Sequence, residues 1–156
     1  MLKRNKWLQN LCKLNEGHII YGEIYGKGVQ TEINYNQDVP QFRLFDIYDP
    51  VNDVWLGWYD ILATVVDACY YRNWYQRLSD WLFGELRNYP DPHKCVVPID
   101  YIGSYDEEII KSKISAPSNL TSDIREGIVI KNVTDTRQIG FGRKILKAVN
   151  PEYLER

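Results

Sequence analysis

The sequence predicts an antiparallel-rich α+β fold, with strands at both ends of the chain and helices in its middle. Three observations predict this class. Runs of β-branched and aromatic residues near both ends are bounded by glycine or polar residues, as strands usually are. A central stretch keeps its apolar residues at helical spacing. The chain has 156 residues, the size of one domain, and an aromatic content of 13% that can supply a core.

The first half of the chain is expected to hold a short helix, three strands and a long helix. Apolar residues recur at helical spacing over residues 2–14, which predicts a helix that Gly17 ends. Strand-forming residues then predict three strands, at 18–24, 41–48 and 54–58. Asp60 is expected to cap a long helix that runs to about Leu86.

The second half begins with three prolines, at positions 90, 92 and 98, which must interrupt any regular helix. Shorter helices and strands are expected after Pro90. In chain order they are a strand at 95–97, a helix at 105–113, a strand at 127–131, a polar hairpin-like loop at 132–142, a strand at 143–149 and a helix opened by Pro151.

Several classes of protein are excluded by the composition. No apolar run approaches the roughly 18 residues of a membrane span, and no apolar segment of a signal peptide follows Met1, so a cytoplasmic protein without membrane association is expected. The three cysteines, at positions 12, 69 and 95, are far apart and odd in number, which argues against a disulfide framework. His93 lies two residues before Cys95, but a zinc site needs about four ligands and the others are absent there, so no zinc site is expected.

Charge is distributed unevenly along the chain. The net charge is −2, but residues 125–156 carry seven Lys or Arg against four acidic residues. A basic C-terminal part on an acidic body could hold phosphate, and a solvated basic surface would give the same count.

Three segments carry residue types suited to nucleotide chemistry. They are Tyr21–Gly26 (YGEIYG), Phe45–Ile47 (FDI) and Glu126–Lys131 (EGIVIK), and the third is followed sixteen residues later by Lys147. Each segment alone is a weak signal, because short motifs of this kind also occur at turns and in cores. Their order and spacing together are far more specific.

This order resembles the covalent nucleotidyltransferases, and within them the ATP-dependent RNA ligases. YGEIYGKGVQ is similar to the glycine-rich stretch of RNA ligases, and GRKILKAVNPEYLER is similar to the lysine-bearing strand and trailing helix of that family. The resemblance covers most of the chain and implies one partial nucleotidyltransferase (ATP-grasp-like) domain over residues 1–156. Residues 64–92 fit least well and are interpreted as a helical insertion.

The resemblance implies a role for each matching residue in binding ATP and Mg²⁺ and in RNA repair. Phe45 would stack on adenine, Glu23 would accept ribose hydroxyls, and Gly22 would let the backbone approach the ligand closely. Glu126 would hold Mg²⁺, a cation that prefers oxygen ligands. Lys131 and Lys147 would stabilise charge on the α-phosphate.

The family's lysine nucleophile, found in a K-x-D-G or K-x-x-G motif, has no match in this sequence. Lys13 comes nearest, but Lys13–Gly17 (KLNEG) has one residue too many. Three hypotheses follow. The chain is part of an RNA ligase whose nucleophile lies on a missing or separate N-terminal fragment, which is preferred. Alternatively, it is a noncatalytic remnant that binds nucleotide or RNA, or an interaction domain that keeps only the fold.

Overall fold

The computed structural model describes residues 5–29, 37–73, 75, 78, 82, 89–121, 124–138 and 142–155. The helices whose bounds are defined are α1 Lys6–Leu14, α2 Trp58–Tyr70, α3 Pro92–Cys95, α4 Glu107–Ile114 and α5 Pro151–Leu154, and residues 75, 78 and 82 are also helical. The strands are β1 Ile19–Tyr25, β2 Gln41–Asp49, β3 Val54–Trp55, β4 Gly127–Lys131, β5 Arg137–Gln138, β6 Gly142–Arg143 and β7 Ile145–Val149. None of these helices is long and apolar enough to cross a membrane.

Antiparallel pairing dominates the strands of the described ranges. β2 lies between β1 and β3 in a three-stranded sheet, and β3 is antiparallel to it. β4 pairs antiparallel with β7, and β5 pairs antiparallel with β6. The predicted α+β class with antiparallel sheets is therefore confirmed.

The chain divides into two compact units. The first comprises Met1–Glu23 and Arg43–Val97, and the second comprises Ile24–Phe42 and Pro98–Arg156.

Helices α1 and α2 pack together in the first unit. Ile61, Val65 and Ala68 stand four and three residues apart on one face of α2, and all are fully buried. Leu11 of α1 is also fully buried, and the Asn10 amide donates a hydrogen bond to the Ala68 carbonyl at 3.0 Å. This apolar layer, with the fully buried Leu44 and Ile47 of β2, forms the core of the unit.

The second unit contains the β4–β7 ladder and helices α4 and α5. Asp106 caps α4, because its carboxylate accepts hydrogen bonds from the backbone N–H groups of Glu108 and Ile109. Asn150 caps α5 in the same way through the N–H of Glu152. Both caps follow from short polar side chains that stand just before a helical run.

Two predicted elements of the first unit differ from the structure. The helix expected from Asp60 to about Leu86 begins at Trp58 and is interrupted after Tyr70, where Tyr71 takes an extended conformation, and residues 75, 78 and 82 beyond the interruption are helical. Most of residues 74–88 lie outside the described part of the chain. Cys95 ends helix α3 instead of opening a strand, and only Val96 forms a bridge, to Leu44.

The other elements are confirmed with shifts of one to a few residues at their ends. Strand β4 has the predicted bounds, and the predicted 132–142 loop carries the β5–β6 pairing. The predicted last strand is split at Lys144 into β6 and β7. The start of the first predicted helix, residues 2–4, lies outside the described residues.

Candidate nucleotide-binding residues

The β4–β7 ladder sets the positions of the two candidate phosphate-binding lysines. Val129 lies opposite Lys147 and Lys131 lies opposite Ile145. Residues that are opposite each other in a ladder, or two positions apart on one strand, share a face. Lys131 and Lys147 therefore share one face as diagonal neighbours, about 7–8 Å apart at their backbones.

Glu126 and Lys147 form an ion pair at the start of this ladder. The ammonium of Lys147 donates a hydrogen bond to Oε1 of Glu126. The two side chains are 54% and 57% exposed, so water and ligands can reach both. A carboxylate and an ammonium are thus held side by side. The first is a ligand type that suits Mg²⁺, and the second is a point charge for phosphate.

The backbone around Glu126 is held in place by Asn150. The Asn150 N–H donates to the Glu126 carbonyl at 2.8 Å, and its side-chain amide donates to the Arg125 carbonyl at 3.2 Å. Only 1% of Asn150 is exposed, and its side-chain oxygen caps α5. The two carbonyl groups belong to Glu126 and to the residue before it, whereas Asn150 directly follows β7. Asn150 therefore links the start of β4 to the end of β7.

Gly127 allows the two strands to approach closely beside Glu126. Its φ is +156°, and a Cβ at this position would overlap the Ala148 carbonyl oxygen and lie 2.9 Å from the Val149 Cα. A larger residue would push β7 away from β4. The glycine that follows the glutamate in the EGIVIK segment is thus explained by packing.

The positive charge of Arg125 is paired within the second unit. Its guanidinium forms an ion pair with Asp100 and donates two further hydrogen bonds to the Pro117 carbonyl, and its side chain is only 9% exposed. Asn119 donates to the same Asp100 carboxylate. This cluster fixes the residue next to Glu126.

Arg143 is also paired, with Asp135 at 2.8 Å. Asp135 is already one of the four acids counted in residues 125–156, but Asp100 lies outside this range, so the formal surplus of base overstates the positive charge that faces solvent by the paired Arg125. Sequence reasoning counted Arg125 and Arg143 as cations, and it gave Asn150 no role. The signal that could have found Asn150 is its place directly before Pro151, a helix-capping pattern.

The candidate adenosine-binding residues lie on neighbouring strands of the first unit. Gly22 and Glu23 belong to β1, where Gly22 is half-buried and Glu23 is exposed. Phe45 belongs to β2 and is 37% exposed, whereas Asp46 beside it is buried. The Val97 N–H donates to the Leu44 carbonyl at 2.9 Å and fixes the edge of β2 beside Phe45.

The structure thus places the predicted residues in two groups. It brings Glu126 and Lys147 into contact and places Lys131 on the same face of the ladder as Lys147. It places Gly22, Glu23 and Phe45 on two adjacent strands. No group of three or more His, Cys, Asp or Glu side chains in the described ranges could hold a metal ion.

A comparison with models of protein families shows to which family the chain belongs. The RNA ligase family model matches residues 2–149. The chain belongs to the RNA ligase family. No curated protein sequence matches it.

Solved structures of the Naegleria gruberi RNA ligase share the fold of this RNA ligase family member. A lysine-to-alanine variant with ATP and Mn matches with a TM-score of 0.61 and 25% identity. A lysine-to-methionine variant with AMP and Mn gives 0.64 and 26%, and the enzyme with PPi gives 0.60 and 26%. Each match covers 98% of this chain and 38% of the other chain. The chain therefore spans well under half the length of these ligases. The predicted family and fold are confirmed.

Proposed function

We propose that this chain forms part of an ATP-dependent RNA ligase and binds ATP or AMP together with Mg²⁺. In the proposed reaction, adenylyl transfer to a lysine precedes the joining of RNA ends. The observation that carries the proposal is the exposed ion pair of Glu126 and Lys147, anchored by Asn150 and Gly127. The solved relative with ATP and Mn, with AMP and Mn, and with PPi supports it.

Each group of residues has a distinct task in this proposal. Phe45 stacks on adenine, Glu23 accepts the ribose hydroxyls, and Gly22 allows the ligand close to the backbone. Lys131 and Lys147 stabilise the negative charge that develops on the α-phosphate during transfer. Mg²⁺, held by Glu126, would supply further positive charge at the phosphates when bound.

The nucleophilic lysine is proposed to come from a separate or missing N-terminal segment, because Lys13 lacks the K-x-x-G spacing. The single partial domain over residues 1–156, the insertion at 64–92, RNA ends or nicks as substrate and a cytoplasmic location stay predictions. A noncatalytic nucleotide-binding remnant and a fold-only interaction domain are the outcomes against which the proposal is tested.

The test compares ATP affinity with and without Mg²⁺ by calorimetric titration. Glu126→Gln removes the carboxylate charge, so we expect Mg²⁺ to strengthen ATP binding by the wild type but not by this variant. Lys147→Met removes a charged hydrogen bond to phosphate and should weaken ATP binding by about 10-fold to 100-fold.

Lys111→Met is the matched control for Lys147→Met. Lys111 also forms exposed ion pairs in the second unit, with Glu107 and Glu108, and its loss should leave ATP affinity unchanged. A wild-type chain that binds no ATP would support the interaction domain. Equal responses of Glu126→Gln and wild type to Mg²⁺ would remove Glu126 from the proposed site.

A further inference from the structure

Two cysteines that are far apart in the sequence meet in the first unit. Cys69 lies near the end of α2 and Cys95 ends α3, and their sulfur atoms are 3.7 Å apart. Both residues are buried, with 5% and 3% of their surfaces exposed. The two thiols are in contact without a covalent bond, which would need about 2.05 Å. No pattern in the sequence indicated this contact.

The surroundings make the two thiols unequal. The two thiols share a hydrogen bond in which either sulfur can donate, and this contact lowers the pKa of Cys69, whereas the same contact together with burial raises the pKa of Cys95. The Asp91 carboxylate opposes ionisation of both thiols, and Arg43 favours ionisation of Cys95. The Cys95 sulfur also lies 3.4 Å from the Asp91 carbonyl oxygen. The Cys95 S–H can be held by the Asp91 carbonyl, and the pKa of Cys69 is lowered, so both observations favour Cys69 as the attacking thiol.

We propose that Cys69 and Cys95 form an oxidation site that a hydroperoxide converts to an intramolecular disulfide. The Cys69 thiolate attacks the peroxide O–O bond, forms a sulfenic acid and releases hydroxide. The Cys95 sulfur then attacks the sulfur of that sulfenic acid, the S–S bond forms, and water leaves with the Cys95 proton. The two thiols together lose two electrons, and hydrogen peroxide is reduced to two waters.

The position of the pair gives the disulfide a structural consequence. Cys69 and Cys95 stand at the two ends of residues 70–94, which cover most of the insertion predicted at 64–92. The bond would join α2 to α3 at the base of this segment and restrict the unfolded chain. It would also fix the residue before Val96, which bridges Leu44 on β2 next to Phe45.

The site does not depend on the proposed ligase function. It uses neither Glu126 nor Lys147, and it would form in an interaction domain as readily as in an enzyme. A reversible disulfide of this kind is the form in which disulfides occur in reducing compartments.

The experiment treats the full chain with hydrogen peroxide under native conditions and maps its disulfides by peptide mass spectrometry without reduction. We expect a peptide linked through Cys69 and Cys95, a mass loss of two hydrogens and a higher Tm that dithiothreitol reverses. Exposed Cys12 is the internal control for oxidant access. Cys12→Ser should keep the linked peptide, and Cys69→Ser should lose it.

The wild-type map decides the question without relying on any variant to fold. Oxidation confined to Cys12, with Cys69 and Cys95 both still reactive towards a thiol reagent after denaturation, would overturn the proposal. So would separate sulfinic acids on the two residues with no linked peptide.

Discussion

Phe45 is the residue of β2 on which the adenine hypothesis depends. Leu44 and Ile47 on the same strand are fully buried and Asp46 is 5% exposed, whereas 37% of Phe45 is accessible. A substitution at Phe45 therefore removes less core packing than one at either buried neighbour. Its effect on nucleotide binding can be separated from its effect on stability.

We expect Phe45→Leu to weaken ATP and AMP binding by about 1–3 kcal/mol, the usual contribution of one base stacked on an aromatic ring. Phe45→Trp keeps a stacking surface and should retain most of the affinity. Tyr59→Leu, an exposed aromatic residue of α2, is the matched control. Titration with AMP measures the effect, and equal affinities for Phe45→Leu and wild type would disprove the stacking role.

The types and order of the candidate residues led to the RNA ligase family, but the charges in the sequence were less informative about which side chains face solvent. Glu126 and Lys131 of the EGIVIK segment and Lys147 of β7 were chosen as candidates because their order along the chain resembles that of the RNA ligases. Which cations face solvent could not be predicted, because Arg125 is paired with Asp100, twenty-five positions earlier. Such pairs depend on how distant segments pack. For the same reason, the contact between Cys69 and Cys95 could not be predicted from the sequence.

At the scale of elements, strong local signals gave correct predictions and weak ones did not. β4 was predicted to the residue because three consecutive β-branched residues, at positions 128–130, follow a glutamate and a glycine. The prediction of one continuous helix after Asp60 missed a break, because Tyr71 is extended, although residues 75, 78 and 82 beyond it are helical as their apolar spacing predicts. The residues around Cys95 read as a strand, but Asp91 caps a short helix there through the His93 N–H.

Asn150 shows how one side chain joins two elements, and its loss should destabilise the second unit. Asn150→Ala removes the cap of α5 and leaves the part-buried Arg125 carbonyl without this donor. We expect a loss of about 2 kcal/mol in the free energy of unfolding. Asn150→Ser keeps a capping oxygen and should lose less.

Urea unfolding measures this difference, and Asp106→Ala at the start of α4 provides the comparison. Asp106 is an exposed cap with no link between strands, so its loss should cost about 1 kcal/mol. If Asn150→Ala cost no more than Asp106→Ala, the link between β4 and β7 would contribute nothing measurable.

At the scale of the whole molecule, the chain holds the residues expected to bind nucleotide but no lysine in the family's motif. Covalent transfer of AMP needs an amine in line with the α-phosphate, and geometry of this kind accounts for much of enzymatic rate enhancement. Lys13 is exposed in the last turn of α1, and its sequence context does not match the motif. Binding and covalent chemistry should therefore be separable in this chain.

We expect the chain alone, with Mg²⁺ and ATP radiolabelled at the α-phosphate, to form no label that survives denaturation. Adding a folded RNA ligase segment that carries the K-x-D-G or K-x-x-G motif should produce a label on the lysine of that segment. Lys147→Met in the present chain should abolish this label, because the α-phosphate charge is then less stabilised. A label on the chain alone that disappears in Lys13→Ala would show that Lys13 is the nucleophile. A folded partner that gives no label, although this chain binds ATP, would favour a noncatalytic nucleotide-binding remnant.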